Sequence, residues 1–349
     1  MPDLRTHAWI AAHRFGLGPR PGELDTISQD PRGWLVAQLE GGPPPSPARD
    51  ALPDHMAIQR QLQTERAADV GEKPERGTRA RRHQRATLRA ESRARLIDAA
   101  STDAPLYERL VRFWSDHFTT SATQRRARHL VGAHEREAVR PHVAGRFEDM
   151  LLASTRHPAM LLYLDNARSI GPDTTRGQRR DQGLNENLAR EILELHTLGV
   201  GGGYQQPDVI ALAELITGWT VFGGPPRGRM DLERPHGFSF WPDLHQPGRK
   251  TLLGRRYGGG GVDEGESALR DLAAHPSTAR FLATRLCRHF LGPEAPPAAM
   301  DAVAEALRRS GGDLRIATRA LIEHPASWAP PAAGGGALRD PSRLLIAMA

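Results

Sequence analysis

The sequence predicts a mostly α-helical protein, one multi-helix domain over residues 1–349 with an irregular insertion near 219–257. Three observations lead there. Apolar residues recur at helical spacing through most of the chain, clusters of Gly and Pro punctuate these runs, and the periodicity lapses only between Trp219 and Tyr257. A chain of 349 residues can bury a sizeable core. Its hydrophobic content of 39% and mean hydropathy of −0.51 describe a globular chain on the polar side. No apolar stretch approaches the roughly 20 residues needed to span a bilayer.

Taken in order, Glu23 to Ser28 and Trp34 to Leu39 read as short helices, ended by the breaker cluster Gly41 to Pro45. Arg79 to Ala99 is a long polar helix. Pro105 to Phe118 follows with Leu106, Leu110, Phe113 and Trp114 on one face. Arg136 to Thr155 and Pro158 to Leu164 continue the pattern. The next helix covers about Glu186 to Leu198, with Gly199 and Gly201 to Gly203 as its stop. Asp208 to Thr217 is helical, with an acidic first turn suited to the helix dipole. Trp219 to Phe222 and Phe238 to Trp241 then form either a small hairpin or an ordered loop. Helices resume at Glu264 to Ala274, Ser277 to Phe290, Ala298 to Arg309 and Asp313 to His324. No internal repeat is visible.

The formal net charge is +6, and only Lys73 and Lys250 are lysines among the 47 basic residues. The surplus is concentrated: residues 60 to 95 hold 11 basic residues against 5 acidic ones, leaving the rest formally neutral. A solvated Arg-rich helical excursion over 59–95 explains this, and so does a patch that docks phosphate or an acidic partner. The segment has no aromatic residue to stack on bases, which argues against nucleic acid. Cys287 stands alone, excluding an internal disulfide and a multi-cysteine zinc site. Met1 to Gly18 lacks a basic head followed by an apolar run, so no secretory signal is expected and the cytoplasm is the default location.

Familiar catalytic signatures fail. His134-Glu135 lacks a second histidine at the zinc-peptidase spacing, and Gly237-Phe238-Ser239 lacks the closing glycine of a nucleophile elbow. Gly248-Arg249-Lys250-Thr251 has neither the upstream glycine nor the strand of a phosphate-binding loop. Gly258 to Gly261 precedes a helix whose Asp263 and Glu264 already supply negative charge.

Polar clusters carry more information. The run Asn185 to His196 sets Leu188, Ile192 and Leu195 at helical spacing, with Asn187, Arg190, Glu191 and Glu194 on another side. Glu186–Arg190 and Arg190–Glu194 are i,i+4 pairs, so a surface ion-pair ladder competes with a functional site. Phe113 to Phe118 places Asp116 and His117 among aromatics. Tyr163-Leu164-Asp165-Asn166 ends a helix with groups suited to capping or metal coordination. The insertion adds His236, His245 and Lys250. A lysine kept in so arginine-biased a chain slightly favours a chemical role, because the two cations are not equivalent.

In this order the landmarks resemble the bacterial DUF1800 family. They are His13 to Gly16, Phe113 to Phe118, His157 to Met160 leading into Tyr163 to Asn166, Asn185 to Val200 with Tyr204 and Asp208, and Leu215 to Trp219. His245 through Gly254 and His275 to Phe281 complete the set. The resemblance covers nearly the whole chain and implies a helical fold without an established reaction. Two departures stand out: Asp116 where that family often has Asn, and Gln246 where it often has Asp. Many relatives also extend beyond the apolar run Leu344 to Ala349. Relatives are often encoded beside an alkaline-phosphatase-like protein, which the resemblance suggests as a partner.

Two functions follow as expectations. One is a metal-assisted enzyme, with Glu191 or Glu186 as general base or ligand and His117 and His245 as proton carriers or ligands. Asn187, Arg190 and Lys250 would orient substrate, and Asp116, Asp165 and Glu191 would hold a divalent metal ion. The alternative is a non-catalytic binding or assembly protein whose Arg-rich segment docks an acidic partner. An enzyme requires Glu191, His117, Asp165 and His245 to face one cleft; a scaffold lets them scatter.

Overall fold

The computed structural model describes residues 4–69, 78–180, 183–221 and 237–330. It is mostly α, with 17 α-helical segments and two small antiparallel two-stranded sheets among the described residues. Local chemistry sets many of the boundaries. Asp30, Ser46, Asp54, Thr78 and Asp313 each accept an N–H of the first turn of the helix they open. Three further helices begin at a His-Pro pair. The Nδ1 atoms of His157, His275 and His324 accept the N–H of Ala159, Ser277 and Ala326, while the following proline fills the first helical position.

The main core runs from Ala8 to Trp328 and includes the fully buried Phe15, Trp114, Phe118, Phe147 and Trp219. Around it, Pro276–Leu291 packs on Pro297–Ser310, which packs on Leu314–Glu323. His55–Ala68 pairs with the long Arg79–Ser101 helix. A backbone clasp joins distant parts of the chain: the Phe147 N–H donates to Gly312 O and the Leu314 N–H to Gly145 O, both at 2.8 Å. Phe147 and Leu314 each lie 10 residues before a capping histidine, His157 and His324. The clasp therefore joins two like helix–His–Pro units, a likeness too degenerate in sequence to stand out as a repeat.

The helix expected from Arg136 to Thr155 is broken. It runs as a π-helical turn Glu135–Val139, a 3₁₀ turn Arg140–His142 and then Phe147–Arg156. Pro141 has no N–H to continue the ladder. The Asn185 run is likewise α-helical at Asn187–Glu191 and π-helical at Ile192–His196. Gly199, at φ 81°, ends that run, and a side chain there would meet the Phe281 ring at 2.7 Å.

In the insertion, β1 (Trp219–Val221) pairs with β2 (Phe238–Phe240), Trp219 opposite Phe240. This settles the choice between hairpin and ordered loop in favour of paired strands. Phe222 and His236, also read from the sequence, lie outside the described residues, as does Leu344 to Ala349. A second hairpin, β3 (Lys250–Leu252) with β4 (Arg255–Tyr257), was not expected. Its turn residues Leu253 and Gly254 both have positive φ, 49° and 76°, as a type I′ hairpin requires. The Asp208 carboxylate holds the turn by accepting the Leu253 N–H at 2.8 Å.

The insertion is seated where Gly265 lets the Val262–Ala274 helix approach Trp219: an added Cβ would lie 2.6 Å from Trp219 Cζ2 and 3.0 Å from Leu215 O. Gly265→Ala is expected to destabilise the protein by about 1–3 kcal/mol through overpacking. Thermal unfolding checks this, and an unchanged melting temperature would show that the contact yields freely.

Candidate functional site

The Asn185 run forms a half-exposed polar network. Arg190 Nη2 lies 3.0 Å from Glu186 Oε2 and donates to Gln206 Oε1, also at 3.0 Å. Gln206 Nε2 returns a bond to Glu186 Oε2 at 2.8 Å, and Arg190 Nη1 stands 3.6 Å from Glu194. Leu188, Ala189, Ile192 and Leu193 bury the opposite face. Asn187 is exposed, its backbone N–H held by Asn185 Oδ1. Burial and then neighbouring Glu194 raise the Glu191 carboxyl above its ordinary value.

His117 lies in the core. Its Nε2–H donates to the carbonyl of His196 at 2.9 Å, and Trp114 and Phe118 pack edge-on against its ring. Burial first, then the positive potential of His196 and Arg285, hold it well below the usual imidazole range. Burial, assisted by Arg285, brings His196 down to about 3. Two neutral buried rings beside a guanidinium are poorly suited to a cation. Asp116, one residue along, is exposed and acts electrostatically on Arg285.

His245 and Lys250, proposed from sequence as a binding loop, meet around a third residue, Glu264. Lys250 Nζ donates to Glu264 Oε2 at 2.7 Å, His245 Nε2 lies 3.1 Å from the same oxygen, and the Gly260 N–H binds Oε1 at 2.8 Å. All three side chains are buried. Burial pushes the Glu264 carboxyl up, but these donors prevail and hold it below the usual range. His245 Nδ1–H is held by Thr217 O at 2.9 Å, so the ring is fixed at both nitrogens. Gln246 adds a clamp: its Nε2 donates to Asp173 Oδ2 at 2.7 Å and its Oε1 accepts the Asp173 N–H. Asp165 is elsewhere, with its carboxylate 3.3 Å from Arg126. Of the residues picked from sequence, Glu186 pairs with Arg190, His117 bonds His196 at the end of the same run, His245 meets Lys250, and Asp165 pairs with Arg126.

A cluster not picked from sequence has the geometry closest to a metal centre. Ligand atoms of His55, Glu137 and His157 lie within 4.8 Å of one another. His55 opens a helix after the Asp54 cap, Glu137 sits in the π-helical turn, and His157 is a helix cap. Glu137 Oε2 is 2.5 Å from His55 Nδ1 and 3.8 Å from His157 Nε2, while Oε1 accepts the His55 N–H at 3.0 Å. Burial raises the Glu137 carboxyl, yet the neighbouring His157 and His55 outweigh it and bring it to about 2.

Two imidazoles and a carboxylate are a common zinc donor set. The cap, however, fixes the tautomer: His157 Nδ1 accepts the Ala159 N–H at 3.1 Å, so the neutral ring carries its proton on Nε2, toward Glu137. Binding a metal through Nε2 would place Nδ1–H against that amide. Of the two histidines, His55 alone bonds the Glu137 carboxylate, and His157 Nε2, 3.8 Å from it, has no hydrogen-bond partner among the described residues; the cap at Nδ1 is what disfavours a metal on that ring. The signal in sequence was the His-Pro pair at 157.

Elemental analysis of untagged protein is therefore expected to find far less than one zinc per chain; stoichiometric zinc lost in folded His157→Gln protein would overturn the tautomer argument. Acid should weaken the fold. Burial lowers His117, His134 and His157 below the ordinary 6.5, and brings His129 and His196 to about 3. Since the folded values lie below the unfolded one, this contribution is complete above pH 6.5 and disappears as pH falls toward about 3. Glu137 adds in the same direction between 4.5 and about 2. The melting temperature should fall by on the order of 10 °C between about pH 7 and about pH 4. A flat profile would mean these rings are hydrated.

Among curated proteins and among solved structures, no match to the chain was found. A family model described as "Protein of unknown function (DUF1800)" matches residues 10–349, nearly the whole chain. The protein belongs to the DUF1800 family.

Proposed function

We propose that the protein is a non-catalytic binding protein that docks an acidic protein partner through its Arg-rich helix. One observation carries this reading. Arg82, Arg85, Arg89 and Arg93 are exposed on the Arg79–Ser101 helix, and at about 100° per residue they fall within about 80° of one another. That helix buries its two carboxylates, Glu91 and Asp98, on the opposite side. Among the described residues, Arg85, Arg89 and Arg93 have no ion-pair partner. Leu96 and Ile97, 43% and 42% exposed, add apolar surface at the end of the stripe.

Arginine forks match carboxylates, and a one-sign stripe steers an oppositely charged partner. In this reading residues 1–349 are one helical domain, 59–95 its docking excursion and 219–257 an insertion locked to the core. The alkaline-phosphatase-like neighbour suggested by the family resemblance is the first partner to test.

A metal-assisted enzyme is the second reading, favoured by the proximity of His55, Glu137 and His157. In it Glu191, Glu186, His117 and His245 would carry protons, and Asp116 and Asp165 would supply metal oxygens. The separation of these residues and the cap on His157 count against it.

Fluorescent poly-L-glutamate should bind the full chain with an affinity that falls steeply with salt. Combining Arg85→Glu, Arg89→Glu and Arg93→Glu should weaken it by at least about tenfold with little change in melting temperature. Unchanged binding in the folded variant would refute the docking face, and tighter binding of oligothymidylate than of polyglutamate would point to nucleic acid instead.

A further inference from the structure

Beside the stripe lies a groove of about 690 Å³ between the end of the His55–Ala68 helix, the start of Arg79–Ser101, the 124–126 turn and residues 165–168. Arg66, Arg81, Arg125, Arg126 and Arg168 line it, against only Asp69 and Asp165. Both carboxylates are already engaged. Asp69 accepts the N–H groups of Arg79 and Ala80 at the helix start, and Asp165 faces Arg126. Arg66, Arg81, Arg125 and Arg168 have no ion-pair partner among the described residues. All five guanidiniums are exposed along this one groove, where their forks can converge on an anion.

The backbone supports the same arrangement. Asp165 adopts φ 56°, a left-handed conformation that Asp tolerates better than most residues. The Arg168 N–H donates to Asp165 O at 3.1 Å, and Arg168 borders the groove together with the 124–126 turn. Gln84 and Gln124 line the same space.

We propose that this groove is a binding site for a phosphate monoester. The volume falls within the about 300–1,000 Å³ typical of small-ligand sites. Among the described lining residues, five guanidiniums against two engaged carboxylates leave a net charge of +3, enough to hold a dianion, whereas a lone carboxylate would leave most of the forks unused. The ligand is the dianion, so binding weakens as pH falls below about 6, where the phosphate takes up its second proton. The site is independent of the acidic-partner reading, because different arginines carry each.

The test is calorimetric titration of the full chain with glucose 6-phosphate, a phosphoserine peptide and its unphosphorylated form. At least one phosphorylated probe should bind, and the unphosphorylated peptide should not. Combined Arg66→Gln and Arg168→Gln should weaken binding by at least about tenfold, while Arg85→Glu with Arg89→Glu leaves it within about twofold. Preference for the sugar phosphate or for the phosphopeptide identifies the source. Should the groove variant fail to fold, protection of Arg66 and Arg168 from phenylglyoxal by the bound probe gives the answer on the unaltered chain. No binding by wild type, unchanged binding in the folded groove variant, or tighter binding of oligothymidylate would overturn the proposal.

Discussion

The buried ion pair between Arg140 and Glu108 is the interaction on which the Arg-rich half of the protein depends. Both terminal nitrogens of the Arg140 guanidinium engage the two carboxylate oxygens of Glu108, and the two residues are only 3% and 2% exposed. The Tyr107 hydroxyl ties down the Arg140 carbonyl at 2.7 Å. Removing one partner of such a pair typically costs about 3–5 kcal/mol, because the other is left charged in the interior. Around it, Asp98 binds Arg49, Glu91 binds Arg136, and Arg95 reaches Glu135. The long Arg79–Ser101 helix is thus held by carboxylates on its inner side, although its sequence is dominated by arginine. Its exposed arginines are a consequence of that anchoring.

This anchoring explains what the sequence could and could not convey about charge. The surplus between residues 60 and 95 is plain from counting, but the distribution around the helix is not. Glu91 looks like one more alternating charge in sequence; in the structure it packs so closely on Gly132 that a Cβ there would meet its side chain at 2.5 Å. Helices were legible where apolar spacing was regular, as in Pro105–His117. They were illegible where polar residues are buried for pairing, as in His55–Ala68, whose inner face includes Gln59 and Gln63. The β3–β4 turn was hidden because Leu253 occupies a position normally given to Asn or Gly. Asp208, distant in sequence, sustains it.

The candidate chemistry was obscured for a related reason. Histidine in sequence suggests proton transfer or metal binding, yet many of these histidines complete the fold. His157, His275 and His324 replace the usual Ser, Asp or Thr as helix caps, and the proline after each fixes the chain for that use. A capping imidazole must be unprotonated at Nδ1, and so its other nitrogen is a donor when the ring is neutral. Spacing alone cannot reveal this commitment. Lys250 stood out by rarity, but the ion pair it makes did not, because its partner Glu264 lay in a helix start that read as ordinary dipole compensation.

These assignments leave the protein divided in its electrostatics. In the interior, Glu108, Asp98 and Glu264 are matched by cations, while burial keeps His117, His134 and His196 neutral. On the Arg-rich side the balance is reversed among the described residues: Glu91 and Asp98 are paired inward, and Arg66, Arg81, Arg125, Arg126 and Arg168 stand exposed around one groove lined by only Asp69 and Asp165 as acids. The docking proposal rests on this asymmetry: carboxylates turned inward to pair, arginines left outward on the Arg79–Ser101 helix.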